Sequence, residues 1–170
     1  MILSLVHACE ALTPPTKNGA SGLRIGFVTD PTRSPMKVLV YSDDSAIRRS
    51  VVMALGSRPA PELPTIVVTE VATATIVRDE VAKGGIDVII LDGEAVPVGG
   101  MGVCKSLKEE IYQCPPILLL TGRKEDEWLA RWSNADAVVQ HPLDAIEVAH
   151  AVADLLRRRL VGTSDSPSAR

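Results

Sequence analysis

The chain has 170 residues, of which 46% are hydrophobic and 3% aromatic, and its net charge is −3 at pH 7. That length suits one domain of ordinary size with some excess. The acidic balance argues against a nucleic-acid surface, which needs a basic face, and no run of about 18 apolar residues is present to span a membrane.

Residues 1–35 differ from the rest. "LTPPTKNGASG" and "TDPTRSP" are rich in Pro, Gly, Ser and Thr, and only "LRIGFV" between them has the composition of a short strand. This extension reads either as a loose tail or as an arm that orders on a partner. "VHAC" before Cys9 has a faint likeness to a lipoprotein cleavage site. It lacks a basic leader region, and its apolar run falls short of the usual length of about 7–15 residues.

From Met36 onward strands and helices alternate. "KVLVY" predicts a buried strand. "SAIRRSVVMALG" predicts a helix with Ile47, Val51, Ala54 and Leu55 on one face and Gly56 as its stop. A proline-rich loop, "RPAPELP", leads to a second strand, "TIVVTEV", and a second helix, "TATIVRDEVAKGG", again closed by glycine. "IDVIIL" is the third strand, and it runs into Asp92 and Gly93. "GVCKSLKEEI" is a helix burying Val103, Leu107 and Ile111, and "PILLLT" is the fourth strand. "EDEWLARW" is a helix with acids in its first turn, where the dipole favours them. "DAVVQ" is a short fifth strand. "LDAIEVAHAVADLLRRRL" is the last helix, expected to end at Arg157, Arg158 and Arg159, and residues 161–170 form a polar tail.

Strands apolar on both faces, separated by helices, predict an α/β fold with a parallel sheet covered on both sides. In such sheets ligands gather beyond the carboxyl ends of the strands. Polar residues stand there: Ser42, Asp43 and Asp44 after the first strand, Asp92 after the third, Thr121 after the fourth, and His141 with Pro142 after the fifth. An acid at the end of so apolar a strand has two readings. It caps the following turn, or it holds a metal or receives a phosphoryl group. Cys9, Cys104 and Cys114 form no CxxC, and His7, His141 and His150 have no zinc spacing. Free thiols in a reducing cytoplasm are expected.

Five pieces in order, "LVYSDDSAIRR", "DVIILD", "PVGGMG" before a helix, "PILLLTG" and "ADAVVQHP", make residues 37–160 similar to the receiver domains of bacterial response regulators. The resemblance implies a flavodoxin-like (βα)5 doubly wound sheet with strand order 2-1-3-4-5, in which Asp43 and Asp92 face one crevice. It implies Asp92 as phosphoacceptor, and Asp43, Asp92 and the backbone carbonyl of Glu94 as ligands of a hard divalent ion, usually Mg²⁺. Thr121 matches the switch hydroxyl. The departures are equally specific. Ser42 replaces the first acid, and Asp44 lies one place too late. His141 replaces the lysine, Val138 stands where an aromatic switch residue is common, and Pro97 follows Asp92 by five residues instead of four. A neutral hydroxyl for an acid, and an imidazole of ordinary pKa about 6.5 for a fixed cation, both weaken phosphoryl chemistry. A working acceptor, a poor one and a relic all remain open.

Other signals carry less. "GGMGVCKS" approaches a phosphate-binding loop, but Cys104 stands where the required second glycine would be. No Ser–His–Asp or Cys–His arrangement can be assembled, and His150 reads as a partly buried helix residue. Trp128 and Trp132, four apart on the fourth helix, share a face. They either pack on the sheet or contact a partner.

The expected organisation is an extension (1–35) acting as a partner-binding arm, a receiver-like domain (36–160) and a tail (161–170), with no output domain following. The expected role is a protein-binding module and not an enzyme. The chain resembles the orphan receivers of actinobacteria associated with the proton-pumping NADH dehydrogenase. That implies an accessory subunit on the peripheral arm of respiratory complex I, cytoplasmic and held at the inner face of the plasma membrane by its partner. The alternative is a single-domain phosphorylation switch, with a histidine kinase as donor to Asp92.

Overall fold

The computed structural model of the chain describes residues 34–164. The anticipated arm and the short strand "LRIGFV" lie outside the described residues, apart from residues 34 and 35.

Five strands form one parallel sheet: β1 (Met36–Tyr41), β2 (Ile66–Val71), β3 (Val88–Asp92), β4 (Ile117–Thr121) and β5 (Ala137–Gln140). Their order is β2-β1-β3-β4-β5, as expected. The helices are α1 (Ser45–Leu55), α2 (Ala74–Lys83), α3 (Gly100–Glu110), α4 (Glu127–Trp132) and α5 (Ala145–Ser164), with a 3₁₀ turn at Lys124–Asp126 before α4.

Side-chain alternation along the strands sorts the core into two layers. Val38, Val40, Val88, Ile90, Leu118 and Leu120 pack with Val51 and Leu55 of α1 and Val148, Val152, Leu155 and Leu156 of α5. Leu39, Tyr41, Ile89, Leu91, Ile117 and Leu119 pack with Val77 and Val81 of α2, Val103, Cys104 and Leu107 of α3, and Ala130 of α4. Each fully buried aliphatic side chain stabilises the fold by about 1.5–3 kcal/mol over leaving it in water. Both faces of β3 and β4 are therefore committed, and no residue of either strand is exposed.

Local signals set the helix ends. Asp44 accepts the Ala46 N–H at 2.7 Å and caps α1, which explains an acid one place later than the family pattern. Gly84 closes α2 at φ +77°, a region that side chains with a Cβ avoid.

Three expectations need correction. Residues 161–164 are helical, so α5 outruns its arginines and the predicted tail starts later. Arg157 does not serve the helix dipole but reaches across to Glu62, Nε to Oε1 at 2.8 Å, and also pairs with Asp154. His150 is exposed, because the opposite side of α5 supplies the buried stripe.

Candidate functional site

The carboxyl ends of β1, β3, β4 and β5 gather the polar residues singled out in the sequence. Register explains the central pair. Tyr41 pairs with Leu91, so one further step places Ser42 beside Asp92, on the same strand parity as Val40 and Ile90. The Ser42 hydroxyl donates to Asp92 Oδ2 at 2.7 Å, and the two residues are 0% and 1% exposed. The other carboxylate oxygen, Oδ1, accepts the backbone N–H of Glu94 at 3.0 Å. Asp92 thus caps the turn that follows β3, and both of its oxygens are oriented by neutral donors.

Asp43 is exposed. Its Oδ1 accepts the Val96 N–H at 3.2 Å and ties down the β3–α3 loop. Thr121 ends β4 and is buried. Its carbonyl accepts the His141 N–H at 2.8 Å, which draws the β5 end to the β4 end. The His141 Nε2 atom is buried and has no hydrogen-bond partner among the described residues. The Val96–Pro97 and His141–Pro142 peptides are both cis.

Two residues of this site were missed by sequence reasoning. Tyr41, at the end of β1, donates its hydroxyl to the Val98 carbonyl at 2.6 Å and straps the same loop that Asp43 holds. Burial raises its pKa above the ordinary value, and the negative charges of Asp43 and Asp92 push it the same way. A hydroxyl-bearing ring at the end of an otherwise aliphatic strand was the available signal. Arg48 donates from Nη1 to the Ser42 carbonyl at 2.7 Å and the Asp43 carbonyl at 3.3 Å, while its Nε pairs with Glu70 at 3.3 Å. It fixes the backbone of the β1–α1 loop, and its position one turn into the helix after that loop was the hint.

The loop also depends on glycine. A Cβ on Gly100 would lie 2.4 Å from the Asp92 carbonyl oxygen and 2.7 Å from its carbon, so the start of α3 presses directly on the end of β3. Close packing accounts for Gly99, whose Cβ would lie 2.8 Å from the Gly93 carbonyl oxygen, and for Gly100, but not for Gly102.

A hard divalent ion takes about six oxygen ligands, at about 2.0–2.1 Å for Mg²⁺. Here Asp43 is engaged by Val96, Asp92 is engaged on both oxygens, and Ser42 brings a hydroxyl in place of a charge. Among the described residues no three His, Cys, Asp or Glu side chains gather closely enough to hold a metal ion. The residues as arranged do not fit Mg²⁺.

Trp128 and Trp132 lie away from this pocket, on α4. They are 65% and 54% exposed, so they do not pack on the sheet; Ala130 supplies the inward contact. Lys105 Nζ sits 5.3 Å from the Trp132 ring centroid. Cys104 and Cys114 are free thiols, both with pKa raised by burial, and Cys9 lies outside the described residues. Among the described residues no helix is long and apolar enough to cross a membrane.

Comparison with known proteins places this geometry. No protein-family model matches the chain. It is similar to the uncharacterized response regulatory protein of Mycobacterium tuberculosis in strains CDC 1551 and H37Rv, at 52% identity over 122 residues, spanning 72% of this chain and 92% of the relative. Among solved structures it is similar to a CheY-like receiver domain from Methanospirillum hungatei (18% identity, TM-score 0.62, 76% of this chain and 99% of that one). It is also similar to a chemotaxis response regulator of Vibrio cholerae (22%, 0.61, 72% and 100%). These last two likenesses concern the fold. Sheet order, strand-end acid and close sequence relative agree, and the chain belongs to the response-regulator receiver family.

Proposed function

We propose that the chain is a two-component receiver that accepts a phosphoryl group on Asp92 and transmits the change through protein contacts. The observation carrying this reading is the Asp92 carboxylate, fixed at the carboxyl end of the central strand by the Ser42 hydroxyl and the Glu94 N–H. Neutral donors orient it without neutralising it. A carboxylate oxygen attacks phosphorus, the bond from phosphorus to the donor breaks, and the leaving group departs with that electron pair. From a histidine kinase the leaving group is imidazole; from acetyl phosphate it is acetate. The product is an acyl phosphate on Asp92. In this reading Thr121, at the end of β4, and His141, after β5, donate hydrogen bonds to the phosphoryl oxygens.

Magnitudes favour a graded response. Moving a two-state equilibrium from 1:99 to 99:1 takes about 5.5 kcal/mol. Two hydrogen bonds to the charged phosphoryl group, from Thr121 and His141, at about 1.5–3 kcal/mol each supply about 3–6 kcal/mol, most of which range lies below that figure. With a serine for an acid and a histidine for a lysine, the site is suited to slow labelling and a partial shift. Incubation with acetyl phosphate, read by intact mass, tests the reading. A gain of about 80 Da in the wild type that is absent in Asp92→Asn supports it.

A second reading is favoured by the exposed tryptophans of α4. Indole rings at this exposure are strong interface anchors, and they suit a docking module with an arm at 1–35, a domain at 36–160 and a tail. The complex I peripheral arm as partner rests on the resemblance to orphan receivers alone, as does a position at the inner membrane face. Pull-down from native membranes with wild type, Trp128→Ala/Trp132→Ala and a chain lacking residues 1–35 tests it. Retention of every partner by both variants would remove this reading. In neither reading does the chain turn over a substrate as an enzyme.

A further inference from the structure

Ser42 turns to Asp92, whereas its neighbours on either side, Tyr41 and Asp43, both reach the loop between β3 and α3. That division follows the alternation of side chains along an extended chain. The Tyr41 hydroxyl donates to the Val98 carbonyl at 2.6 Å, and Asp43 Oδ1 accepts the Val96 N–H at 3.2 Å, so the loop is gripped on both sides of Pro97. Val96 and Val98 are 65% and 42% exposed. Burial of these valines gives the crown of the loop little hold, and the two straps supply it instead. The same loop begins on the strand-end acid. The Glu94 N–H donates to Asp92 Oδ1 at 3.0 Å, and the Ala95 N–H donates to the Asp92 carbonyl at 3.4 Å. The Val96 strap is two residues from the Glu94 donor.

We infer that Tyr41 is a positioning residue for Asp92: with Asp43 it forms a two-point latch on the β3–α3 loop, and the latch keeps the Glu94 N–H on the carboxylate. The inference rests on Asp92 being the acceptor. Tyr41 acts through the loop and touches no reacting atom. Loss of its hydroxyl frees the Val98 carbonyl, the crown of the loop opens, and the Glu94 N–H spends less time on Oδ1. The carboxylate then keeps the Ser42 hydroxyl alone as its orienting donor. Attack on phosphorus needs the oxygen held in line with the bond that breaks, so a looser carboxylate reacts more slowly.

The test uses the full chain as wild type, Tyr41→Phe, Asp43→Asn, Asp43→Ala and Tyr41→Phe/Asp43→Ala, with Asp92→Asn as the site control. Tyr41→Phe keeps the buried ring and loses the hydroxyl. Asp43→Asn loses the charge but keeps an oxygen for the Val96 N–H, so Ala against Asn separates the strap from the charge. Two quantities are read: hydrogen exchange of the peptide spanning residues 93–99, and the rate and final extent of labelling by acetyl phosphate. Loop exchange should quicken about two- to tenfold in Tyr41→Phe, the size of one neutral hydrogen bond. Asp43→Ala should quicken it by a similar factor over Asp43→Asn. Labelling of Tyr41→Phe should slow about two- to tenfold and still reach the wild-type extent. The double variant should slow by less than the product of the single effects, because both straps hold one loop. Exchange loosened throughout the chain, or a lower final extent at an unchanged rate, would make Tyr41 a packing residue and overturn the inference. If the wild type labels and Tyr41→Phe labels equally fast, the positioning role is wrong and the acceptor reading stands. If the wild type fails to label while Tyr41→Phe loosens residues 93–99 alone, the latch is real, but the acceptor reading falls and takes the positioning role with it.

Discussion

Replacing Ser42 with Asp would restore the acid that this chain lacks, at a cost the geometry allows to be worked out. The Ser42 hydroxyl lies 2.7 Å from Asp92 Oδ2, and both residues are buried. A carboxylate at position 42 would meet Asp92 within about 4 Å, where two like charges repel by about 4 kcal/mol at an effective dielectric of 20. The lost hydroxyl-to-carboxylate bond removes about another 1.5–3 kcal/mol. Relaxation toward solvent returns part of this, and a net destabilisation of about 2–5 kcal/mol is expected from these terms. The added acid also supplies a charge for a divalent ion, so millimolar Mg²⁺ should recover much of the loss in Ser42→Asp and little in the wild type. Urea unfolding at pH 7.5, with and without Mg²⁺, measures both effects. Ser42→Ala separates them, since it loses the hydrogen bond without adding charge. A Ser42→Asp protein as stable as the wild type without divalent ions would refute the reasoning. So would a wild type that gains as much from Mg²⁺ as the variant does.

Three further outcomes follow from the site. Tyr41 has a raised pKa, so its contribution to stability is fully present below the ordinary value of 10.0 and is lost as pH climbs through the raised value. Ultraviolet titration should show one of the two tyrosines ionising late because of burial, and Asp43→Asn should bring it slightly earlier; no change in that variant would contradict the part assigned to Asp43. Gly100→Ala drives a methyl into the Asp92 carbonyl and should cost about 1–3 kcal/mol in urea unfolding, with an unaltered midpoint counting against the packing described. The only two tryptophans in the chain are the exposed pair on α4, so native fluorescence should show water-exposed indole accessible to acrylamide, and a strongly shielded signal would show that the face is covered.

The architecture was legible because β3 and β4 are apolar at every position before the strand end, which only a sheet covered on both faces can accommodate. Asp92 was legible for the same reason: an acid closing such a strand stands out. Its partner was half legible. Ser42 was recognised as a missing charge, but its hydrogen bond to Asp92 follows from parallel register, which a single sequence does not print. The hydrogen bond from the Val96 N–H to Asp43 was not legible, because it belongs to a loop whose path depends on tertiary packing. Tyr41 and Arg48 went unnoticed because their partners are backbone carbonyls, and a carbonyl has no sequence signature. Tryptophans four residues apart define one face of a six-residue helix but not whether that face meets the sheet; Ala130 took the inward side. The late end of α5 was obscured by the composition of residues 161–164, where a glycine, a threonine and a serine follow Val161 and read as a helix stop.

The central claim is that Asp92 carries the phosphoryl group in this chain despite its reduced charge. Trapping answers it most directly: protein taken from its native cells is reduced with borohydride, which converts an aspartyl phosphate to homoserine, and the peptides are mapped by mass. The account predicts homoserine at position 92 in a fraction of molecules and at no other aspartate. An unmodified Asp92 under every growth condition, in protein that also fails to label with acetyl phosphate, would contradict it.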